Sequence, residues 1–117
     1  MKKRYSFLKN ASYAIAGIKR AFKESAFKLE LFCALPFLLF AILYDFDIYD
    51  KILLIFSIVL VFISECFNTA IECVVDLVTK KYELLAKEAK DLASAGVFLT
   101  ICMAIFVWIM ILYKEFL

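Results

Sequence analysis

The sequence predicts an all-α integral membrane protein with three transmembrane helices and an N-terminal amphipathic surface helix. Three observations carry that expectation. Of 117 residues, 66% are hydrophobic, where a soluble domain has roughly half apolar. Only two glycines and one proline are present, too little turn chemistry for a sheet or barrel. The apolar residues gather into long runs separated by short charged segments. A chain of this size is a single domain, residues 1–117.

The first element is the surface helix, expected over about residues 5–26. Leu8, Ala11, Ile15, Ile18, Phe22 and Ala26 recur at helical spacing, with Lys9, Lys19, Arg20 and Lys23 between them. Such a helix beside a bilayer lies in its surface. It is not a signal peptide, because no apolar core or small-residue cleavage site follows the basic start.

The first span is expected over about 27–44. Its charge-free part, 31–44, is too short alone, and extension back to Phe27 admits Lys28 and Glu30 at the interface. Pro36 predicts a kink. The second span, about 48–71, begins with an apolar run at 52–63 and then carries Glu65 and Asn68 into the membrane zone. The third, about 92–113, has no charge and is the clearest span.

Charge asymmetry orients these spans. Of fourteen basic residues, eight lie before or at the start of the first span: Lys2, Lys3, Arg4, Lys9, Lys19, Arg20, Lys23 and Lys28. Lys80, Lys81, Lys87 and Lys90 lie between the second and third spans, whereas the 45–51 turn has Lys51 alone and the C-terminal end Lys114 alone. The positive-inside rule places the N-terminus and the 79–91 segment in the cytoplasm, and the 45–51 turn and C-terminus outside.

Cys33, Cys66, Cys73 and Cys102 have no metal-site spacing, and no histidine completes a zinc site. They read as small apolar side chains on buried or lipid-facing helices.

Chemistry concentrates in the second span. Glu65, Asn68, Glu72 and Asp76 stand at i, i+3, i+7 and i+11. At about 100° per residue they form one stripe under about 90° wide and about 16 Å tall. A carboxylate at membrane depth costs roughly 2.5–3.5 kcal/mol or more, so such groups are functional or paired. A structural polar seam between packed helices is the bland alternative, but three acids on one face repel unless a cation joins them. Oxygen ligands of this kind suit Mg²⁺, and burial fits Glu65 to serve as a general base. The 80–91 segment returns Lys90 and Asp91 to the membrane surface near Glu72 and Asp76, and lysines beside an acidic metal site suit a polyphosphate. No glycine-rich phosphate loop or soluble-kinase motif is present.

Two motifs carry a resemblance. Glu65, Asn68, Thr69, Ala70, Ile71, Glu72, Val75 and Asp76 form one; Ala86, Lys87, Ala89, Lys90, Asp91, Ala93, Ser94 and Ala95 form the other. Together they closely resemble the prokaryotic diacylglycerol kinase and undecaprenol kinase family, over nearly the whole chain from Tyr13 to Trp108. The resemblance implies a homotrimer in the bacterial cytoplasmic (inner) membrane that transfers the ATP γ-phosphate to a lipid hydroxyl with Mg²⁺. By position it implies that Glu65 is the base for the lipid hydroxyl and that Glu24 and Glu72 bind the metal. It also implies nucleotide contacts from Tyr13, Glu24, Glu72, Lys81, Tyr82, Glu83, Lys90 and Asp91. Phe27, Lys28, Glu30, Glu65, Ser94 and Trp108 would face the lipid, with Asn68 and Asp76 in support. The pattern departs near Ser6, where Gram-negative members often have arginine; Arg4 and Lys9 are the nearby basic residues. Spacing between Gly17 and Phe27 is one residue shorter than in some members.

Glu24, Phe27, Lys28 and Glu30 resemble the diacylglycerol kinase branch, since undecaprenol kinases carry histidine at the place of Glu30. The expected product is therefore phosphatidic acid, with undecaprenol the alternative acceptor. A small cation-coupled membrane carrier using Glu65 and Glu72 is a distant third possibility, distinguished by needing neither ATP nor the lysine cluster. No nucleic-acid partner is expected.

Overall fold

The computed structural model describes residues 6–117. It contains four helices: α1 (Phe7–Ala21), α2 (Ser25–Leu43), α3 (Ile48–Val78) and α4 (Leu84–Phe116). The expected start of the surface helix at residue 5, and Lys2, Lys3 and Arg4, lie outside the described residues.

Ser6 caps α1, its hydroxyl accepting from the Lys9 amide at 3.4 Å. Lys19 and Arg20 occupy the last turn, where positive charge suits the carbonyl end of a helix. Phe7, Leu8, Ile15 and Ile18 are exposed on α1, as an interfacial helix requires. The helix stops at Ala21, earlier than its apolar spacing extends, because the chain turns at 22–24 to enter α2.

α2, α3 and α4 are each long and apolar enough to cross a membrane. With 19 residues, α2 is about 28 Å long, close to one hydrocarbon core. It continues as helix on both sides of Pro36. Asp47 caps α3 by accepting from the Tyr49 amide at 3.1 Å. At 31 residues α3 is about 46 Å long, and α4 with 33 is about 50 Å. Both outrun a core of about 30 Å, so α3 continues beyond residue 71 to Val78 and α4 already begins at Leu84. The 79–91 segment is thus a five-residue turn, 79–83, followed by helix. Leu84–Lys90 consists of good helix formers with no glycine or proline.

α3 packs against α4 along its length, against α2 over a shorter stretch, and against α1 at its cytoplasmic end. The core is a small cluster of Ala41, Phe46, Leu54, Ile58, Trp108 and Ile111. Most apolar side chains point outward, including Phe32, Leu43, Phe56 and Phe106. A helix apolar all round needs lipid or further protein about it. The outer ends are tied by two lysines. Lys114 Nζ lies 2.6 Å from Asp50 Oδ2, and Lys51 Nζ donates to the Ile42 carbonyl at 3.0 Å. All four cysteines are free and exposed.

Candidate active site

The polar stripe of α3 faces its neighbours at three levels. At the deepest level stand Glu65 of α3 and Glu30 of α2, both half-buried. Glu30 Oε2 is buried and has no partner. One turn toward the cytoplasm, Asn68 Nδ2 donates to Glu72 Oε1 at 3.2 Å and leaves its own Oδ1 buried and unpaired. At the top, Asp76 accepts from Lys90 of α4 at 2.7 Å.

α1 reaches the middle level through Arg20. Its Nη1 donates to Glu24 Oε1 at 2.8 Å, and its Nη2 lies 3.7 Å from Cys73 Sγ, the neighbour of Glu72. The guanidinium therefore draws the α1–α2 turn toward α3, and the Glu24 carboxylate raises the Arg20 pKa above its ordinary value. The surface periodicity counted Arg20 only as part of a basic face. Its i,i+4 spacing to Glu24 was the available signal of the pairing.

Above Asp76 a cleft of about 370 Å³ opens between the end of α3, the 79–83 turn and the start of α4. Lys81, Tyr82, Glu83, Lys90 and Asp91 line it, as do Lys80 and Lys87 of the same basic segment and Thr79, which were not among the expected nucleotide contacts. Thr79 Oγ1 accepts from the Lys81 amide at 3.1 Å and shapes the turn. Lys87 pairs with Asp91 at 2.6 Å. Four lysines around three acids give a concave, net basic surface able to take a polyphosphate.

Below Glu65 the opposite chemistry prevails. A groove of about 550 Å³ runs between α2 and α4 with α3 as its floor. Glu30 stands at its cytoplasmic end, and Phe37, Phe62, Ile105, Trp108 and Leu112 are among the apolar side chains lining it outward. Trp108 donates its Nε1–H to the Leu54 carbonyl at 3.3 Å and meets Phe37 edge to face at 5.3 Å. With its donor engaged, Trp108 offers the groove only its ring. Phe27, buried, packs edge-on against Phe22 and Phe62 at 5.2 and 5.3 Å, closing the cytoplasmic corner.

Some candidates stand apart. Tyr13 and Lys28 are exposed, and Tyr13 does not line the cleft. Ser94 is exposed on α4, one turn past Lys90. Ser6, where the expected resemblance departs, caps α1.

No group of three or more candidate metal ligands exists among the described residues. Mg²⁺, though, is normally held by one or two carboxylates together with phosphate oxygens. Glu72, oriented by Asn68, and Glu24, brought toward α3 by Arg20, meet that donor requirement.

A family model described as prokaryotic diacylglycerol kinase matches residues 12–112. A protein of Escherichia coli K12 named diacylglycerol kinase is 37% identical over 110 residues, covering 93% of this chain and 90% of its own. One of Haemophilus influenzae with the same name is 36% identical over 102 residues, 86% of either chain. A third, of Pseudomonas aeruginosa, is 33% identical over 106 residues, covering 90% of this chain and 86% of its own.

Proposed function

The chain belongs to the prokaryotic diacylglycerol kinase family, and we propose that it transfers the γ-phosphate of ATP to the free hydroxyl of diacylglycerol, giving phosphatidic acid. It is a multi-pass inner-membrane kinase. The observation that carries the substrate is the position of Glu65 along α3, between the residues that line an apolar groove suited to acyl chains and those that line a basic cleft sized for a nucleotide tail.

In this scheme the lipid lies along the α2–α4 groove with its hydroxyl at the Glu30–Glu65 end. The triphosphate lies across Lys81, Lys90 and their neighbours. Glu65 takes the hydroxyl proton as the lipid oxygen bonds to the γ-phosphorus, and ADP departs into the cleft. Glu72 and Glu24 would hold Mg²⁺, which when bound neutralises phosphate charge. Asn68 keeps the Glu72 carboxylate oriented, as partners behind a metal ligand do. Asp76 holds Lys90 at the mouth of the cleft.

The active form is a homotrimer. Outward-facing apolar surface on every span and the unpaired Asn68 Oδ1 support self-association. The cytoplasm is the side of the cleft, because twelve of the fourteen basic residues lie in the N-terminal and 79–91 segments.

The test is ADP release by purified protein in lipid nanodiscs with a panel of lipid alcohols. Diacylglycerol is expected to drive turnover and no-lipid controls to show none. Turnover with undecaprenol but not diacylglycerol would move the chain to the other acceptor, and turnover with neither would defeat the assignment.

A further inference from the structure

The apolar groove has an outer end, and two aromatic rings form it. α2 lines one wall with Glu30, Cys33, Ala34 and Phe37, spaced i, i+3, i+4 and i+7 and so on one face of the helix. That wall is slim beyond its acid and bulky at its outer end. On the α4 wall, Ala104 leaves room one turn before Trp108. α2 and α4 run in the same direction across the membrane, since α3 returns between them. Their bulky residues therefore reach one level, and the rings of Phe37 and Trp108 meet edge to face at 5.3 Å.

Beyond the rings the helices close up. Ala41 and Leu54 have no exposed surface, and Phe116 of α4 reaches Tyr44 of α2 at 5.2 Å. α2 adds no lining residue past Phe37, and Ile109 of α4, which does line the groove there, is exposed. The two rings are held differently. Trp108 is 8% exposed, and its Nε1–H is engaged by the Leu54 carbonyl, which also accepts from the Ser57 hydroxyl at 2.8 Å. Phe37 is 53% exposed, and a phenyl ring has no polar tether. Trp108 is the fixed surface, and Phe37 closes against it from the lipid side.

Seven helical residues set Phe37 about 10 Å outward of Glu30. An extended chain advances about 1.2 Å per bond, so about eight bonds bridge that distance. From a diacylglycerol hydroxyl oxygen seated at Glu30, about four of them lead through glycerol and ester to the first acyl carbon, and the chain meets the rings at about its fifth carbon. We propose that Phe37 is a specificity-determining residue: its ring, set against Trp108, ends the acyl groove, so the kinase holds one acyl chain over about its first five carbons and turns the rest out into the bilayer. This deepens the kinase reading above and rests on it. An acyl chain is already in apolar surroundings before it enters, so the groove selects by shape and not by hydrophobic gain. Recognition is then confined to the part of the lipid nearest the reacting hydroxyl, and chain length and unsaturation farther out go unread.

Trp108 is the one tryptophan in the chain, so its fluorescence reports on the rings. The probes are diacylglycerols with acyl chains of about five, nine or thirteen carbons, each carrying a bromine at its tip to quench indole on contact. They are added to full-length protein in lipid nanodiscs without ATP. In wild type the shortest chain is expected to quench about threefold more than either longer one, whose tips lie in the bilayer. Phosphatidylcholines with the same chains lack the free hydroxyl and should quench little at every length. In Phe37→Ala, and less fully in Phe37→Leu, the middle chain is expected to quench as strongly as the shortest, because it then runs on past the indole. Leu39→Ala, on the opposite face of α2, should keep the wild-type pattern. Equal quenching by all three lengths in wild type, equal quenching by the phosphatidylcholines, an unchanged pattern in both Phe37 variants, or a shift in Leu39→Ala as large as in Phe37→Ala would each overturn the stop. Wild-type protein that shows the pattern but forms no phosphatidic acid with ATP would fail the kinase assignment alone.

Discussion

Lys90 of α4 and Asp76 of α3 form a 2.7 Å ion pair across the turn that joins their helices. Both side chains are about half exposed, so the pair contributes little to stability. Its consequence is placement: an ammonium is fixed at the rim of the cleft, above the acidic stripe. Lys90→Ala is expected to raise KM for ATP by about tenfold or more while thermal stability hardly changes. A large fall in melting temperature with an unchanged KM would make the pair a structural tie.

Glu65→Gln is expected to leave insertion and assembly intact and to lower turnover by about 10²–10⁴. Gel filtration in detergent checks assembly, and lipid-dependent ADP release checks turnover. A variant keeping more than about a tenth of wild-type turnover is not missing its general base.

The stripe was legible in the sequence because a helix places residues at i, i+3, i+7 and i+11 on one face whatever surrounds it. The same periodicity and charge asymmetry gave the spans and brought Lys90 back beside Asp76. The groove was not legible. Glu30 stood out only at the membrane interface and by likeness to other sequences, because its place at the head of the groove depends on how α2 lies against α3 and α4. Likewise the Lys114–Asp50 tie joins residues 64 apart in sequence, and the apolar groove exists only because α2 and α4 diverge over α3. Local pattern encodes faces of helices, and packing decides which faces meet.

Glu72→Ala is expected to raise the Mg²⁺ concentration needed for half-maximal activity and to weaken nucleotide binding with it, because a metal joins carboxylate to phosphate. Asn68→Ala should act in the same direction but less, since it removes only the 3.2 Å hydrogen bond that orients Glu72. An unchanged Mg²⁺ requirement in Glu72→Ala would move the metal toward Asp76.

At the outer end, Lys114→Ala leaves Asp50 buried without its cation. A lower melting temperature is expected with normal activity per folded molecule, since the pair is remote from the cleft. Adding Asp50→Asn should restore part of the loss, because the stranded charge is then gone. A double variant no more stable than Lys114→Ala would show that the charge was never stranded.

The central claim is lipid phosphorylation at the cytoplasmic face, and sealed membrane vesicles with γ-labelled ATP test it most directly. In inside-out vesicles, external ATP is expected to place label in phosphatidic acid, and Glu65→Gln to abolish it. Right-side-out vesicles should give no labelled lipid until they are opened. Label appearing in intact right-side-out vesicles and not in inside-out ones would put the Lys81–Lys90 cleft outside the cell, and a complete absence of labelled lipid in both would contradict the account at its root.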